Sequence, residues 1–367
     1  MKKNLLELCL SPDLGGLELY MVRSAKALND AFNVISVINP NGKLEQYYEG
    51  TGFRYEMVEK NSNLLMFSAA RKLAKIIDEN AIDIIHMHWT KDIPVTVLAK
   101  KLSKCKPKIV QTRNMTMTRF KNDFYHQLLY KNIDLMLPVT KQVEGQLKRF
   151  IPETIRPKVE VLYMGTDEVE LLNEEALHIY RQQHGMDKGF AIGLVGRIEE
   201  TKGQHLLIDA IALLHQKGVM VDAFFVGHEM EEGYIEILKE KAKEHGVASA
   251  VHFPGFMKNP MHFMQACDVM VLATLCETFG LVVIEAMSVA TPMVATDACG
   301  PLEIIEDERS GLLFKKDDSV SLSQKIELLY SDRKKSRALG LAGQQRVQDS
   351  FLNTVQFQKL GTILENT

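Results

Sequence analysis

Residues 267–287, CDVMVLATLCETFGLVVIEAM, decide the fold of this chain. The stretch opens with an apolar run that is continuous rather than alternating, and it closes with GLVVIEAM, which we interpret as the start of an apolar helix. A continuously apolar strand is typical of a parallel sheet whose two faces are both covered by helices. The stretch therefore predicts one strand, loop and helix of an α/β sheet.

Two glutamates mark this stretch as a candidate binding site. Glu277 falls in the predicted loop, and Glu285 falls early in a helix whose other residues are strongly apolar. A carboxylate in such surroundings needs hydrogen-bond partners, and the hydroxyl groups of a sugar or ribose are suitable. Residues 279–281 would stand at the helix amino terminus, where a phosphate is favoured. In the alternative interpretation, Glu277 is an acidic helix cap and Glu285 is exposed to solvent.

The same alternation of apolar strand and helix occurs in two successive sets. The first set of strands is predicted at residues 4–10, 34–39, 53–58, 82–88, 108–112, 133–139 and 159–164, with helices such as 64–79 between them. The second set is predicted at residues 190–197, 221–226, 251–253, 269–272 and 293–295. Two βαβ sets predict an α/β protein of two doubly wound domains, with a ligand in a cleft facing the carboxyl ends of the strands.

The domain boundaries follow from these sets. We expect an N-terminal domain at residues 1–168, a C-terminal domain at 169–350, and a helix at 351–367 that packs back on the N-terminal domain. The acidic stretch 167–187 has no strong strand pattern and is the predicted linker.

Composition excludes several classes of protein. The 367 residues are 46% hydrophobic and 25% charged, which is typical of globular domains and not of disordered or collagen-like chains. No apolar run approaches the ~20 residues that a membrane-spanning helix needs. The five scattered cysteines form no CxxC pair, so we expect reduced and mostly buried thiols in a cytoplasmic protein.

Charge is distributed unevenly along the chain. Residues 1–167 carry 25 Lys and Arg against 18 Asp and Glu, whereas the rest of the chain is acidic, and the net charge is −3. The positive excess is concentrated in residues 100–121, which contain no acid. Such a block favours an anionic partner, such as a phospholipid surface or a phosphorylated glycan, and the alternative is a solvated helix face. Nucleic acid is not expected, since the pI is about 6.4 and no binding module is recognised.

Three smaller motifs are candidate sites. Gly15 and Gly16 follow the first strand and precede a helix, so the backbone there could approach an anion or simply turn tightly. Arg197 and Lys202 bracket a short loop after a strand and could bind phosphate oxygens, although the order of residues is not that of a P-loop. Two histidines, at 86 and 88, share one strand face, but no third metal ligand stands at a sensible spacing, so one histidine facing the cleft is the preferred interpretation.

Taken together, these motifs resemble the retaining glycosyltransferases of family 4, which have the GT-B fold of two facing Rossmann-like domains. The resemblance covers almost the whole chain. It rests on GG at 15–16, VLYMGTD at 161–167, GRIEETKG at 196–203, FPGFM at 253–257, and the E-x7-E pattern from Glu277 to Glu285. Met164 stands where the family usually has asparagine.

The resemblance implies roles for individual residues. Arg197, Lys202 and Glu277 would be catalytic, the two cations by holding the donor diphosphate and Glu277 by contacting the transferred sugar. The donor would be bound by Gly16, Phe256, Met257, Phe279, Gly280, Leu281 and Glu285. The acceptor-side candidates are His88, Arg113, Asn114, Arg119 and Lys121. Neither a metal nor a cofactor is expected, and a UDP-sugar is the expected donor.

One departure concerns Asn114, which stands where many relatives have a histidine near the transferred sugar. An asparagine can donate and accept hydrogen bonds but cannot become a cation. The expected function is transfer of a sugar to a cell-envelope glycan or glycolipid, with retention of configuration, by a cytoplasmic enzyme associated with the inner membrane face. The alternatives are a nucleotide-sugar epimerase, a phosphorylase, or a non-catalytic subunit that binds sugar nucleotides.

Overall fold

The computed structural model describes residues 2–60 and 66–367 of the chain. The described residues form two compact units. Unit 1 is the chain up to Tyr163 together with Thr354–Thr367, and unit 2 is Met164–Asn353. The expected boundary after residue 168 lies a few residues later than the observed one after Tyr163. The expected boundary after residue 350 lies a few residues earlier than the observed one after Asn353.

Unit 1 alternates strands and helices around one parallel sheet. Its elements are β1 Asn4–Cys9, α1 Gly16–Leu28, β2 Asn33–Ile38, β3 Tyr55–Met57, α2 Met66–Glu79, β4 Ile84–Met87, α3 Ile93–Leu102, β5 Lys108–Arg113, α4 Phe124–Tyr130, β6 Leu135–Pro138, α5 Lys141–Phe150 and β7 Lys158–Val159. Residues 61–65, where the predicted helix 64–79 begins, lie outside the described residues.

Unit 2 has the same construction. Its elements are α6 Glu174–Gln183, β8 Phe190–Val195, α7 Gln204–Gln216, β9 Val221–Val226, α8 Tyr234–Glu244, β10 Val251–Gly255, α9 Met261–Ala266, β11 Val269–Leu272, α10 Leu281–Ser288, β12 Met293–Thr296, α11 Pro301–Ile304, β13 Leu312–Phe314, α12 Ser319–Ser331 and α13 Arg333–Ser350. The last helix, α14 Asn353–Glu365, contributes residues 354–365 to unit 1.

Both sheets are parallel and doubly wound. Over the described residues, the sheet of unit 1 has the order β3-β2-β1-β4-β5-β6-β7, and that of unit 2 has the order β10-β9-β8-β11-β12-β13. The strand order reverses between β1 and β4 in unit 1, and between β8 and β11 in unit 2. In such sheets ligands bind beside the carboxyl ends of the strands at this reversal. The predicted α/β class with two Rossmann-like domains is confirmed.

Burial explains why the strands are continuously apolar. The middle of each sheet is covered on both faces, so that all four residues of β4 and of β11 are buried. Some helices begin at a side-chain cap, as when the side chain of Thr140 accepts a hydrogen bond from the N–H of Val143 at the start of α5. None of the described helices has the length and apolarity that crossing a bilayer requires.

Two sequence predictions differ from the structure. The strand predicted at 159–164 is only Lys158–Val159, because the chain leaves the sheet edge after two paired residues. The predicted linker 167–187 contains α6, which Asn173 caps through a hydrogen bond from the N–H of Ala176. Asparagine is a preferred residue at the start of a helix, so Asn173 is the sequence signal that indicates α6.

We expect the substitution Gly227→Ala to destabilise unit 2. A Cβ at Gly227 would come within 3.0 Å of the carbonyl oxygen of Gly196, and a backbone atom cannot move aside as a flexible side chain can. Overpacking of this kind costs about 2 kcal/mol, and we expect a fall of about 5 °C in the Tm. Gly196→Ala is the matched control, because a Cβ there has no neighbour within 4 Å. Equal melting temperatures for the two variants would contradict this assignment.

Candidate functional site

The loop between β8 and α7 carries Arg197 and Lys202 at the carboxyl edge of the unit 2 sheet. Its last residues, Glu200–Lys202, form a short 3₁₀ helix that ends at Gly203. Gly203 has a φ of +74°, and a Cβ on it would come within 3.0 Å of the carbonyl oxygen of Ala273. Glycine is therefore required for this loop to lie directly against the end of β11.

Lys202 and Glu277 form an ion pair across two loops. The Lys202 Nζ donates a hydrogen bond of 2.8 Å to the Glu277 Oε2, and both side chains are partly buried. The N–H of Gly300 donates to the carbonyl oxygen of Glu277 over 2.9 Å, so the loop after β12 holds this residue from the other side. Gly280 is the N-cap of α10 and, over the described residues, no side chain caps this helix. The alternative interpretation of Glu277 as an acidic helix cap is therefore wrong.

Arg197 lies on the same loop but is more exposed. Its side chain is 57% exposed and forms a 3.0 Å ion pair with Glu199. Its carbonyl oxygen accepts a hydrogen bond from the side chain of Gln204 at the start of α7, which fixes the backbone. Ion pairs with this exposure contribute only about 0–1 kcal/mol. The guanidinium can therefore exchange Glu199 for another anion at little cost.

The amino terminus of α10 lies beside this ion pair. Gly280 has a φ of +100°, and a Cβ on it would lie 3.6 Å from the Cγ of Glu277. Phe279 is buried and packs against the ring of Phe351, whereas Leu281 is partly exposed at the first helical position. Glu285 lies one helical turn further on and is half-buried, not fully exposed as the alternative interpretation had it.

An aromatic pair lies after the neighbouring strands β9 and β10. The exposed ring of Phe256 stacks on the ring of His228, with 4.1 Å between the ring centroids and 13° between the planes. Met257 follows and is partly exposed. His228 is not among the predicted site residues, although its position directly after Gly227 at the end of an apolar strand matches that of Arg197 after Gly196.

A disulfide bond joins Cys276 to Cys299. The expectation of five reduced cysteines is therefore wrong for this pair, which 23 residues of sequence separate. The two residues come together because they follow β11 and β12, which are neighbours in a parallel sheet and end at the same edge. Cys9, Cys105 and Cys267 are free thiols, and Cys105 is exposed rather than buried.

In unit 1, the paired glycines begin α1. Gly15 is its N-cap, and Gly16 is its exposed first residue. This places Gly16 after β1, beside the reversal in strand order. An exposed residue at the start of a helix can bind an anion through its backbone N–H, and the role of Gly16 in donor binding stays a prediction.

A buried cluster of Glu7, His86 and His88 lies inside unit 1. The His88 Nε2 is 2.6 Å from the Glu7 Oε2, the His86 Nδ1 is 3.1 Å from the Glu7 Oε1, and Ser24 donates a hydrogen bond to the same carboxylate. The three side chains could present ligand atoms to a metal ion, since these atoms lie within 4.8 Å of one another. Glu7 is the third residue that the sequence analysis did not find, because it comes from the middle of a different strand.

The cluster perturbs the protonation of its members. Burial would raise the pKa of Glu7, but the charges and hydrogen bonds of the two histidines outweigh burial and lower that pKa to about 2. Burial and the charge of His86 lower the pKa of His88 to about 4, against the attraction of Glu7. The expected histidine facing the acceptor is therefore not His88, whose Nε2 points to a buried carboxylate.

Arg113 and Asn114, at the end of β5, differ in what they can bind. The buried guanidinium of Arg113 donates to the carbonyl oxygens of Met115 and Thr116 and to the Thr90 hydroxyl. Arg113 therefore fixes its own loop, and its assignment to the acceptor side is wrong. Asn114 is different: within the described residues, both polar atoms of its amide are buried and have no hydrogen-bond partner.

Basic and large apolar side chains are exposed within residues 115–128 of unit 1, and we call these exposed side chains the basic–aromatic surface. Phe124 is 82% exposed at the start of α4, and Arg119 is exposed nearby. Lys121 is partly exposed, and Asp134 binds two other lysines of the basic block, Lys100 and Lys108. The other members are Met115, Phe120, Tyr125 and Leu128.

Two family models match the chain. The model described as glycosyl transferases group 1 matches residues 178–346, and the model described as glycosyl transferase 4-like matches residues 7–142. The first match contains the whole of the Arg197, Lys202 and Glu277 arrangement, and the second contains the second half of β1, α1 and the buried cluster.

Individual proteins are also similar. The chain is 28% identical to a putative glycosyltransferase, EpsD of Bacillus subtilis, over 75% of this chain and 74% of that protein. It is 29% identical to a Campylobacter jejuni N-acetylgalactosaminyltransferase that acts on a diphospho-undecaprenol, over 65% and 62% of the two chains. A crystal structure of Anabaena Alr3699/HepE with UDP and glucose covers both chains completely, with a TM-score of 0.83 and 22% identity, which shows a shared fold.

We expect the free energy of unfolding to fall as the pH is lowered from 6.5 to 2. Above pH 6.5, His88 is neutral and Glu7 is ionised in both the folded and the unfolded chain. Below it, the unfolded chain takes up protons first, since the folded pKa values of about 4 and about 2 lie below the usual 6.5 and 4.5. Thermal unfolding followed by circular dichroism across this range measures the effect.

Glu7→Gln separates the contributions of the two groups. The variant should be less stable at pH 7, because an amide cannot replace both carboxylate oxygens as partners of His86, His88 and Ser24. Its stability should also fall less than that of wild type between pH 4.5 and 2. Glu79→Gln is the control, since Glu79 is exposed and pairs only with Lys75 among the ion pairs of the described residues. A Glu7→Gln variant with the same acid dependence as wild type would refute this explanation.

Proposed function

The chain belongs to the family 4-like glycosyltransferases of the GT-B fold, and from this premise we propose that it transfers a sugar from a nucleotide-diphosphate donor to a cell-envelope glycan or glycolipid. The observation that carries the proposal is the ion pair between Lys202 and Glu277 beside the amino terminus of α10. It combines a cation, a carboxylate and a helix start at the reversal of the unit 2 sheet, where such folds bind ligands.

The donor diphosphate would lie between Arg197, Lys202 and the first amides of α10. A guanidinium matches two phosphate oxygens, and an ammonium supplies a compact charge. The amides of Gly280 and Leu281 would add contacts, because a helix amino terminus carries partial positive charge. Charges that are fixed before the reaction stabilise the negative charge that develops on the departing nucleotide.

The nucleoside would bind at the end of this diphosphate that faces away from the transferred sugar. Glu285 would accept hydrogen bonds from the ribose hydroxyls, and the loop of Phe256 and Met257 would contact the base. The stacked rings of Phe256 and His228 offer a flat surface that suits a base. UDP is the proposed nucleotide, because a protein with the same fold was crystallised with it.

The reaction exchanges one bond at the sugar C1 for another. The C1–O bond to the diphosphate breaks, an acceptor hydroxyl oxygen forms a bond to C1 on the same face, and the hydroxyl proton moves to the leaving phosphate oxygen. Glu277 would position the sugar rather than attack it, since Lys202 already holds its carboxylate. Family membership supports retention of configuration as part of this proposal, and the two cations would offset the diphosphate charge without a metal.

Unit 1 would bind the acceptor through Asn114. Its amide can donate to one hydroxyl and accept from another, and neither polar atom has a partner within the described residues. A polar group that is buried and unpaired costs about 1–3 kcal/mol, so a hydroxyl-bearing ligand would recover that cost. Relatives that act on lipid-linked sugars support a glycolipid acceptor.

The basic–aromatic surface would hold the protein at the membrane where such an acceptor resides. Phe120 and Phe124 are large and exposed, and Arg119 and Lys121 can contact anionic headgroups. Aromatic side chains favour the membrane interface, and each basic residue near an anionic surface contributes about 1 kcal/mol. We therefore propose a peripheral location on the inner face of the membrane.

We expect Lys202→Met to weaken UDP binding at least tenfold, because one charge-assisted hydrogen bond contributes about 1.5–3 kcal/mol. Isothermal titration with UDP measures the affinity. Lys217→Met is the matched control, since Lys217 is an exposed lysine that pairs with Glu327 and follows α7. Transfer is then measured by incubating radiolabelled UDP-glucose or UDP-N-acetylglucosamine with octyl glycosides and identifying the product by mass spectrometry.

Two results would overturn this function. If UDP, GDP and ADP all fail to raise the Tm, the site does not bind a nucleotide, since a ligand at 100 times its Kd adds about 2.7 kcal/mol. If sugar phosphate or an epimerised donor accumulates without a glycoside, the chemistry is that of a phosphorylase or an epimerase.

We expect the double variant Phe120→Ser and Phe124→Ser to bind anionic vesicles at least fivefold more weakly than wild type. The measurement is co-sedimentation with vesicles of phosphatidylcholine containing about a third phosphatidylglycerol, at low and high salt. Phe67→Ser is the control, because Phe67 is an exposed phenylalanine on α2, outside this surface. Equal sedimentation of all three proteins, or no binding of wild type at low salt, would exclude the membrane surface.

A further inference from the structure

The disulfide between Cys276 and Cys299 fastens two loops of the candidate donor site. Cys276 immediately precedes Glu277, and Cys299 immediately precedes Gly300, whose N–H donates to the Glu277 carbonyl oxygen. A Cβ at Gly300 would come within 3.0 Å of the Phe279 carbonyl oxygen, so the two loops touch through their backbones. The disulfide is thus adjacent in sequence to both Glu277 and Gly300, the two residues whose hydrogen bond helps to keep Glu277 beside Lys202.

This bond is open to chemical attack. Cys276 is exposed and Cys299 is partly exposed, so the disulfide lies at the protein surface rather than in the core. Cys9 and Cys267 are buried, and burial raises the pKa of both thiols, which leaves them unreactive. Exposed disulfides are the ones that reductants open most readily.

Opening the bond would loosen the position of Glu277. Without the disulfide, the loop after β11 is joined to the loop after β12 by the Gly300–Glu277 hydrogen bond and backbone packing. Cys299 has a φ of +61°, a conformation that residues other than glycine rarely adopt, so the closed loop holds it in an unfavoured geometry. Reduction would free both loops to relax.

We propose that Cys276 and Cys299 form a reversible thiol–disulfide site that controls donor binding, an inference that rests on the proposed function. A thiolate of a dithiol reductant attacks the Cys276 sulfur, the bond to Cys299 breaks, and Cys299 leaves as a thiolate that takes up a proton. The second thiol of the reductant then displaces Cys276 as a thiol. The two cysteines are reduced by two electrons, and the dithiol is oxidised to its own disulfide.

The test compares wild type, oxidised or reduced with dithiothreitol, with the double variant Cys276→Ser and Cys299→Ser. UDP affinity is measured by titration, and hydrogen exchange is followed in peptides that cover residues 274–281 and 297–301. We expect reduction to weaken UDP binding at least tenfold and to speed exchange in both peptides. The double variant should match reduced wild type and should not respond to dithiothreitol. Cys105→Ser, which removes an exposed free thiol, should behave as wild type.

The outcomes separate this proposal from the proposed function. Equal exchange in both redox states, or faster exchange with unchanged UDP affinity, would overturn the thiol–disulfide site. If no nucleotide binds in either state, donor binding itself is refuted, and with it the controlling role of the pair. Alkylation of Cys276 and Cys299 in the oxidised protein, detected by mass spectrometry, would show that the bond does not form.

Discussion

Direct contact between backbones at glycine is the constraint on which the unit 2 site depends. Gly227 lies against Gly196, Gly203 against Ala273, and Gly300 against Phe279, and in each case a Cβ would come within 3.0 Å of a carbonyl oxygen. These three contacts join the loops that follow β9, β8, β11 and β12 into one edge. Any larger residue would separate the loops, and Lys202 would then no longer reach Glu277. Glycine at these three positions is therefore as necessary to the site as its charged side chains.

The two sheets have the same topology, but different kinds of residue lie near the carboxyl ends of their strands. In unit 1, charged and polar side chains fill the interior below the edge, as when Glu7 binds both histidines and the buried Asp92 accepts hydrogen bonds from the Leu10 N–H and from Lys60. Removing one partner from a buried charge of this kind is strongly destabilising, because the other charge is left without compensation. In unit 2, partly exposed charges lie on loops held by glycine, so they remain available to a ligand.

The sequence predicts whatever depends on neighbouring residues and misses what depends on distant ones. The continuously apolar strands and the loop with Glu277 could be found, because an apolar run followed by a short polar loop is a local pattern. The Glu7 cluster and the Cys276–Cys299 bond could not, because strand order, which the sequence does not state, brings these residues together. Arg113 was assigned to the acceptor for a related reason. A cation within a basic block suggests exposure to solvent, whereas the Arg113 side chain is buried and its guanidinium donates to three oxygen atoms of nearby residues.

Glu277 contacts both the cation of the candidate site and the loop that fixes its own backbone. Its carboxylate binds Lys202, its carbonyl oxygen accepts the Gly300 N–H, and its chain neighbour Cys276 is covalently bonded to the same loop. A side chain on an exposed loop would otherwise lose a substantial part of its free energy of binding to ordering that loop. Fixing the loop at both ends removes that cost before a ligand arrives. Cys276 is exposed and its neighbour Glu277 is partly exposed, so the proposed redox control would act directly beside the donor site.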